Sequence, residues 1–270
     1  MAPGLYIGTS GWMYDAWRAD WYGKLPKRLW LAHDAERFTA VEVDASFYRQ
    51  QRPETYANWA SQVPEEFRFA VRGHRFLTHN KKLLDAEEPL RRMKEQASGL
   101  GKKLGVMLWQ LPPFMRINVE RVRLFGEALK AWPETRHALE LRHDSWFTAE
   151  VAAVLTQYGI ANTISDASKF PRWDAVTTDL VYVRLHGRPF TYASRYEEPE
   201  LDQWTEKVRR WHAEGRTVHV YFDNDAHGHA PHDAMRLLER VQQRGTGGSP
   251  VGIRGGPPRK KPSTEAPAYL

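Results

Sequence analysis

Residues 180–186, LVYVRLH, carry the clearest strand pattern in the sequence. Apolar and polar side chains alternate along it, and alternate residues of a β-strand point to opposite faces of the sheet. One face carries the aliphatic side chains of Val181 and Val183, whereas the other carries Arg184 and His186. A strand that is aliphatic on one face and charged on the other lies between two different environments.

The same alternation recurs along the chain and predicts eight strands separated by segments of helical periodicity. The predicted strands cover residues 5–9, 40–45, 67–72, 104–109, 137–142, 160–165, 180–185 and 217–223. Helical patterns cover residues 27–37, 53–62, 87–99, 118–131, 147–158, 199–214 and 231–243. Eight strand–helix units in about 240 residues favour the α/β class and a single (β/α)8 TIM-type barrel over an open doubly wound sheet. No Gly-x-Gly-x-x-Gly stands in a strand-to-helix turn, which also disfavours the dinucleotide-binding alternative.

The composition is that of a globular protein and excludes several classes. Of the 270 residues, 41% are hydrophobic and 27% are charged, and no apolar run is long enough to cross a bilayer. The first residues, MAPGLYIGTSGW, lack the basic and apolar regions of a signal peptide, so we expect a cytoplasmic protein. The chain has no cysteine, which excludes disulfides, thiolate metal sites and cysteine nucleophiles.

The charge is concentrated at one end of the chain. The formal net charge is +6, and the last 26 residues hold four basic residues and one acidic residue. This tail is rich in glycine and proline and shows no apolar periodicity. We therefore predict a mildly basic barrel domain over residues 1–244 and a disordered basic tail over residues 245–270.

Charged residues occupy the strand face that must point into the barrel, because the aliphatic face has to meet the surrounding helices. Barrel interiors are normally aliphatic, and burying charge there is costly. The polar residues concentrate toward the carboxyl ends of the strands, where TIM-barrel active sites lie. An internal salt-bridge network is one explanation, but apolar packing would stabilise the fold better, so a ligand site is favoured.

Two sets of candidate site residues follow from this placement. Six are candidate acids, bases or proton donors: Glu42, Asp44, His74, Glu140, His186 and Asp223. Nine are candidate substrate-binding residues: Trp12, Tyr48, Arg72, Gln110, Arg142, Asp166, Arg184, Arg188 and Asn224. Guanidinium groups pair with two oxygens of a phosphate or carboxylate, so the arginines indicate an anionic ligand. We expect Arg184 to be the arginine left free for it, because Arg184 precedes the loop HGRPFTY.

The loops after strands 7 and 8 also fit the binding of a phosphate. Gly187 and Gly228 allow the backbone to approach a ligand closely, and Pro231 marks a helix start whose free N–H groups attract anions. The expected partner is a small anionic molecule. Nucleic acid stays open as a partner, no membrane partner is expected, and no oligomeric state is assigned.

Six spaced motifs are recognisable in the chain. They are GTSGWMYDAWRADWY from Gly8, FTAVEVDASFYRQQRPETYANWASQVPEEFRFAVRGHRFLTH from Phe38, LGVMLWQLPPF from Leu104, LELRHDSW from Leu139, YVRLHGRPFTY from Tyr182 and VYFDNDAHGHAP from Val220. Together they resemble domain-of-unknown-function family 72, the YecE-like proteins. The resemblance implies a TIM-type barrel and implies little about chemistry.

Three kinds of function compete for the predicted pocket. A metal-dependent hydrolase needs His, Asp and Glu ligands, but the interleaved arginines disfavour a cation, so no metal is assigned and a divalent metal is a minor alternative. A glycosidase needs two facing carboxyl groups, which are missing from the usual positions after strands 4 and 7. The primary hypothesis is a hydrolase-type enzyme without a cofactor, acting on a phosphorylated or nucleotide-like substrate. The alternative is a non-catalytic binder of a small anionic or sugar-like ligand.

Overall fold

The eight predicted strands form one closed parallel barrel within residues 4–243, the part of the chain that the computed structural model describes. The strands pair in sequence order, and the first also pairs with the last. They are β1 (Leu5–Ser10), β2 (Ala40–Val43), β3 (Arg68–Arg72), β4 (Leu104–Gln110), β5 (Arg136–Glu140), β6 (Ile160–Asp166), β7 (Leu180–Leu185) and β8 (Thr217–Phe222). The fold is therefore a TIM-type barrel, as the alternation predicts. The tail predicted over residues 245–270 lies outside the described residues.

Eight α-helices connect or follow the strands within residues 4–243. They are α1 (Trp30–Ala35), α2 (Ala45–Tyr48), α3 (Pro53–Ser61), α4 (Glu87–Ala97), α5 (Val119–Leu129), α6 (Ala149–Gln157), α7 (Glu198–Ala213) and α8 (His229–Gln242). Asn118 and Thr148 cap α5 and α6, because each side-chain oxygen accepts a main-chain N–H of the first turn. Within residues 4–243, none of these helices combines the length and apolar character needed to span a bilayer.

The link between β6 and β7, residues 167–179, contains no helix, in agreement with the absence of a predicted helical pattern there. Side-chain hydrogen bonds fix this loop in place of a helix. The side-chain amide of Asn162 donates to the carbonyl oxygens of Trp173 and Ala175, each at 3.0 Å. The hydroxyl of Thr177 donates to the carbonyl oxygen of Ile160 at 2.8 Å. The loop is therefore tied back onto β6.

The barrel interior is layered along the strands, and its register is the one that the alternation predicts. The middle layer is apolar and aromatic, and consists of Ala40, Ala70, Val106, Leu108, Ala138, Ala161, Leu180, Tyr182 and Tyr221. Arg184 and Glu140 point to the same interior one step further toward the carboxyl ends of their strands. The aliphatic face of β7, including Val181 and Val183, belongs instead to the outer core with the helices.

The aromatic loop after β1 packs against the loop after β8. Trp17 is fully buried, and its Nε1 donates to the main-chain oxygen of Asp225 at 3.0 Å. Tyr22 stacks on Trp30 with the ring centroids 4.2 Å apart. This packing fixes the backbone of Asp225 at the carboxyl end of the barrel.

Candidate active site

Arg184, on β7, lies at the centre of a buried ion network. Its Nε and Nη2 donate to the carboxylate of Glu42 on β2, with the shortest N···O distance 2.7 Å. Its Nη1 donates to Glu140 on β5 at 3.0 Å, and Nη2 also donates to Asp223 at 2.9 Å. Burial alone would lower the pKa of Arg184, but these carboxylates outweigh burial and raise it well above the usual range. The guanidinium is thus held as a cation with no exposed surface.

Glu42 is equally enclosed. Besides Arg184, it accepts hydrogen bonds from the hydroxyl groups of Ser10 and Tyr182, each at 2.6 Å. Its side chain is completely buried. Glu42 therefore anchors the network from below and makes no contact with the space above it.

His186 connects two of the carboxylates through a hydroxyl group. Its Nδ1 lies 2.8 Å from Oδ2 of Asp223, and its Nε2 lies 2.9 Å from Oγ of Ser165. Ser165 in turn donates to Glu140 at 3.1 Å. Burial would raise the pKa of Glu140, but Arg142 and Arg184 outweigh burial and hold it well below the usual range. A continuous polar chain therefore links Asp223 to an ionised Glu140.

Two further arginines lie above the network, each against an aromatic ring. The guanidinium of Arg72 lies 3.7 Å from the ring centre of Phe47, pairs with Asp44 and donates to Gln110. Its Nε is buried without a hydrogen-bond partner in residues 4–243. These contacts hold the plane of the Arg72 guanidinium in one orientation.

Arg142 is held on one side only. Its Nε donates to Oε1 of Glu140 at 2.7 Å, and its guanidinium lies 4.1 Å from the ring centre of Phe170. Neither Nη1 nor Nη2 has a hydrogen-bond partner among residues 4–243. Arg142 thus presents a fixed guanidinium edge with two unoccupied donors.

These arginines face a cavity of about 480 Å³ at the carboxyl end of the barrel. The cavity is lined by Tyr14, Asp44, Phe47, Tyr48, Arg72, His79, Gln110, Pro113, Arg142, Tyr192, Asp223 and Asp225. Its positive groups are Arg72 and Arg142, and its carboxyl groups are Asp44, Asp223 and Asp225. The volume falls within the range of small-molecule sites.

The two carboxyl groups that follow β8 differ in their affinity for a proton. Burial would raise the pKa of Asp223, but Arg184 and His186 outweigh burial and hold it at about 2. Burial, reinforced by the charges of Asp223 and Asp44, raises the pKa of Asp225 to about 6. Asp225 has no ion-pair partner in residues 4–243 and lies beside the hydroxyl of Tyr14. One cavity therefore holds an ionised carboxylate and a carboxyl group that titrates close to neutral pH.

Residues 6–256 match the family model described as Protein of unknown function DUF72. The chain belongs to the DUF72 family. This confirms the resemblance carried by the six motifs.

Relatives and solved structures agree with that assignment. UPF0759 protein YunF of Bacillus subtilis (strain 168) is 24% identical over 281 residues, which cover 91% of this chain and 98% of the relative. UPF0759 protein YecE of Escherichia coli (strain K12) is 24% identical and covers 88% of this chain and 93% of the relative. The crystal structure of a DUF72 family protein from Thermotoga maritima MSB8 has a TM-score of 0.80 at 26% identity, covering 89% of this chain and 100% of that one. A DUF72 family protein from Enterococcus faecalis V583 has a TM-score of 0.76 at 21% identity, covering 93% of this chain and 100% of that one.

Six of the fifteen residues singled out from the sequence line the cavity of this DUF72 chain. Asp44, Tyr48, Arg72, Gln110, Arg142 and Asp223 line it. Glu42, Glu140, Arg184 and His186 lie beneath, completely buried in the ion network. The structure thus brings ten of the candidates together at the carboxyl end of the barrel, six lining the cavity and four beneath it.

The expectation that Arg184 is free for an anion is wrong. Each of its three nitrogens donates to a carboxylate oxygen, and its side chain is inaccessible. Barrel closure brings Glu42, Glu140 and Asp223 around it from three other strands or strand ends. Of the two arginines that line the cavity, Arg142 keeps both Nη1 and Nη2 without a hydrogen-bond partner in residues 4–243.

His74 and Trp12 also lie outside the cavity. The chain leaves the sheet after Arg72, so the strand alternation no longer places His74 inside the barrel; it lines a separate side pocket with Phe76 and Met93. Trp12 is buried in the outer core, where its ring meets that of Trp59 edge-on at 5.0 Å.

Asp166, Arg188 and Asn224 belong to a neighbouring network that ties loops together. Asp166 accepts from Nε of Arg188 at 2.8 Å and from the hydroxyl of Tyr196 at 3.0 Å. The amide of Asn224 donates to Asp233 at 2.8 Å. None of the three lines the cavity.

The expected phosphate site in the loops after β7 and β8 is likewise occupied by protein groups. The main-chain N–H of Gly187 donates to the hydroxyl of Tyr196 at 3.1 Å. Helix α8 begins at His229, so Pro231 is its third residue and does not mark its start. These loops shape the wall of the barrel mouth without offering free donors at Gly187.

Several cavity residues were missed by the sequence analysis: Tyr14, Phe47, His79, Pro113, Tyr192 and Asp225. Asp225 had a usable signal, because it follows Asp223 by two residues after the last strand. His79 had none, since it lies in a π-helical turn, Phe76–Asn80, where strand alternation does not apply. Burial and the charges of Arg72 and Arg75 lower the pKa of His79 to about 4, so it is a neutral lining group near pH 7.

Residues 4–243 contain no group of three or more His, Cys, Asp or Glu side chains arranged to hold a metal ion. The carboxylates of this DUF72 site are instead engaged by arginines and hydroxyl groups. Function without a cofactor stays a prediction.

Proposed function

We propose that this chain is a hydrolase-type enzyme that acts on a small phosphate-bearing, nucleotide-like substrate in the cavity at the carboxyl end of the barrel. The observation that carries the proposal is the position of Arg142. Its Nη1 and Nη2 have no partner in residues 4–243, while Glu140 fixes its Nε from below. A guanidinium edge fixed in this way matches two oxygens of a phosphate.

The distribution of charge in the cavity orients such a substrate. Arg72 is the last residue of β3 and Arg142 follows β5, whereas Asp223 and Asp225 follow β8 on another part of the barrel wall. A phosphate at Arg142 leaves the rest of the substrate to extend toward the two carboxyl groups. The aromatic rings of Tyr14 and Tyr192 offer flat surfaces beside that path.

Asp223 and Asp225 supply different functions in the hydrolysis. Asp223 is ionised and fixed by Arg184 and His186, so it orients an attacking water by accepting its hydrogen bond. Asp225, with a pKa of about 6, gives its proton to the leaving oxygen. The water oxygen bonds to phosphorus as the ester P–O bond breaks. One hydrogen of the water stays on its oxygen, a phosphate oxygen takes the other, and Asp225 regains its proton from solvent.

Turnover tests the proposal directly. The full chain is incubated with AMP, ribose 5-phosphate and p-nitrophenyl phosphate between about pH 5 and pH 8, and released phosphate is measured. We expect at least one substrate to turn over and D225N to lose about 100-fold or more of kcat. D144N is the matched control, because Asp144 is 78% exposed and lies outside the cavity. Saturable binding of these compounds without turnover would contradict the enzymatic proposal. It would support the alternative, a non-catalytic binder of a small anionic or sugar-like ligand.

A further inference from the structure

A second cavity, larger than the candidate active site, opens at the amino-terminal end of the barrel. Its volume is about 700 Å³, and the first residues of several strands line it, among them Tyr6, Arg68, Arg136 and His219. The apolar middle layer of the barrel, with Tyr182 and Tyr221, separates it from the candidate active site. The two cavities are therefore independent binding spaces.

His219 forms a polar point in the floor of this cavity. It is 2% exposed, and its Nδ1 lies 2.8 Å from the hydroxyl of Tyr221. Burial and the charges of Arg136 and Arg68 lower the pKa of His219 to about 3, so its ring is neutral. The Tyr221 hydroxyl has no other acceptor in residues 4–243, so it donates to Nδ1 and the ring proton of His219 sits on Nε2. Nε2 has no partner in the same residues and is left as a donor.

The edge of the His219 ring faces the cavity through a gap left by Gly105. A Cβ atom at position 105 would lie 3.3 Å from Cε1 of His219, so any side chain there would cover this edge. Both residues line the cavity. The space above the His219 ring edge is therefore accessible to a ligand.

The cavity carries positive charge that no carboxylate of the described chain neutralises. Arg68 donates through Nη1 to the carbonyl oxygens of Glu65 and Phe67 and has no ion pair within residues 4–243. Lys102 has neither a hydrogen bond nor an ion pair in that part of the chain. By contrast, Lys94 pairs with Glu134 at 2.7 Å and Arg136 pairs with Asp179. Two unpaired cations thus accompany the His219 donor.

Two aromatic side chains, Tyr6 and Trp132, contribute flat surfaces to the rest of the wall. The ring of Tyr6 lies against that of His219 with centroids 4.6 Å apart, and Trp132 also lines the cavity. A few convergent polar groups in a largely apolar cavity of this size are typical of a small-molecule site.

We propose that this amino-terminal cavity binds an aryl oxyanion. The oxyanion accepts a hydrogen bond from Nε2 of His219 and is balanced by Arg68 and Lys102, and the aromatic body packs against Tyr6 and Trp132. Aryl carboxylates, aryl phosphonates and aryl phosphates all carry an oxyanion on an aromatic ring system. The site is separate from the proposed hydrolytic cavity and does not depend on it.

Calorimetric titration of the full chain tests the proposal with three probes on the same ring system. They are 2-naphthoate, 1-naphthylphosphonate and the neutral 2-naphthalenemethanol. We expect saturable binding of at least one of the two anions and none of the alcohol, and the anion that binds more tightly identifies the head group. Loss of a hydrogen bond to a charged group predicts about tenfold weaker binding to H219F.

Three variants locate the binding. H219F keeps a ring against Tyr6 but removes the donor, and K102A changes an exposed side chain and leaves the barrel interior intact, so it serves if H219F does not fold. R91M, at an exposed position of α4 that lines neither cavity, should bind the anion as the wild type does. The proposal is overturned if neither anion binds saturably, if the alcohol binds equally well, or if H219F and K102A both bind the anion as R91M does.

Discussion

Nη2 of Arg184 lies 2.7 Å from Oε1 of Glu42, and both side chains have no exposed surface. The two residues are 142 positions apart in the sequence and come together because β2 and β7 face one interior. A buried ion pair is costly to form but more costly to break, because the remaining charge has no water to solvate it. The stability of the barrel therefore depends on every charge of this network being present.

Replacing Arg184 by methionine should lower the free energy of unfolding by about 3–5 kcal/mol, because it leaves three buried carboxylates without their shared cation. Chemical denaturation followed by circular dichroism measures this loss. R91M is the control, since Arg91 pairs with Glu88 on the exposed face of α4, and we expect it to unfold like the wild type. Equal stability of R184M and R91M would contradict the proposed role of the network.

Tyr182 provides a second, milder test of the same network. Y182F removes the hydrogen bond from the hydroxyl to Oε2 of Glu42, which is 2.6 Å long and completely buried. We expect a loss of about 1.5–3 kcal/mol in the free energy of unfolding, as for hydrogen bonds to buried charges. Y158F removes a comparable bond to Glu127, 2.8 Å long but exposed, and should change little. A larger loss in Y158F than in Y182F would rule this explanation out.

Asp225 should make stability depend on pH in a defined direction. Its pKa rises from 3.8 to about 6 on folding, so the native state binds more protons than the unfolded state between these values. The free energy of unfolding therefore falls as pH rises through this window, and the D225N variant lacks that contribution. The melting temperature of D225N should therefore increase relative to that of the wild type as pH rises from about 4 to 7. D144N should instead follow the wild type, and parallel curves for D225N and the wild type would refute the raised pKa.

The architecture was predictable because its signals are local. Strand alternation depends only on neighbouring residues, and it correctly placed Arg184 and Glu140 in the interior. Proline at the first position of α3 marked that helix start in the same way. The link between β6 and β7 agrees with this, because no helical pattern was predicted between residues 165 and 180 and none of residues 167–179 is helical.

The availability of each arginine was not predictable, because it depends on small differences in position along the strands. The predicted fifth strand included Arg142, but β5 ends at Glu140, so Arg142 emerges two residues beyond the sheet. Arg184 lies inside β7, one residue before its end, where carboxylates from other strands surround it. Sequence patterns locate strand ends only to within a few residues. Here a difference of that size decides whether an arginine is buried, as Arg184 is, or lines the cavity, as Arg142 does.

We propose that Arg142, and not Arg184, presents the anion-binding edge of the cavity. The most direct measurement is calorimetric titration of AMP and inorganic phosphate into the wild type, R142M and R188M at constant ionic strength. Arg188 is a matched control, because it lies on a neighbouring loop, pairs with Asp166 and does not line the cavity. R142M is expected to bind AMP about tenfold or more weakly than the wild type, while R188M binds it normally. Equal affinity of R142M and the wild type for AMP, with R142M folded, would show that Arg142 does not bind the anion.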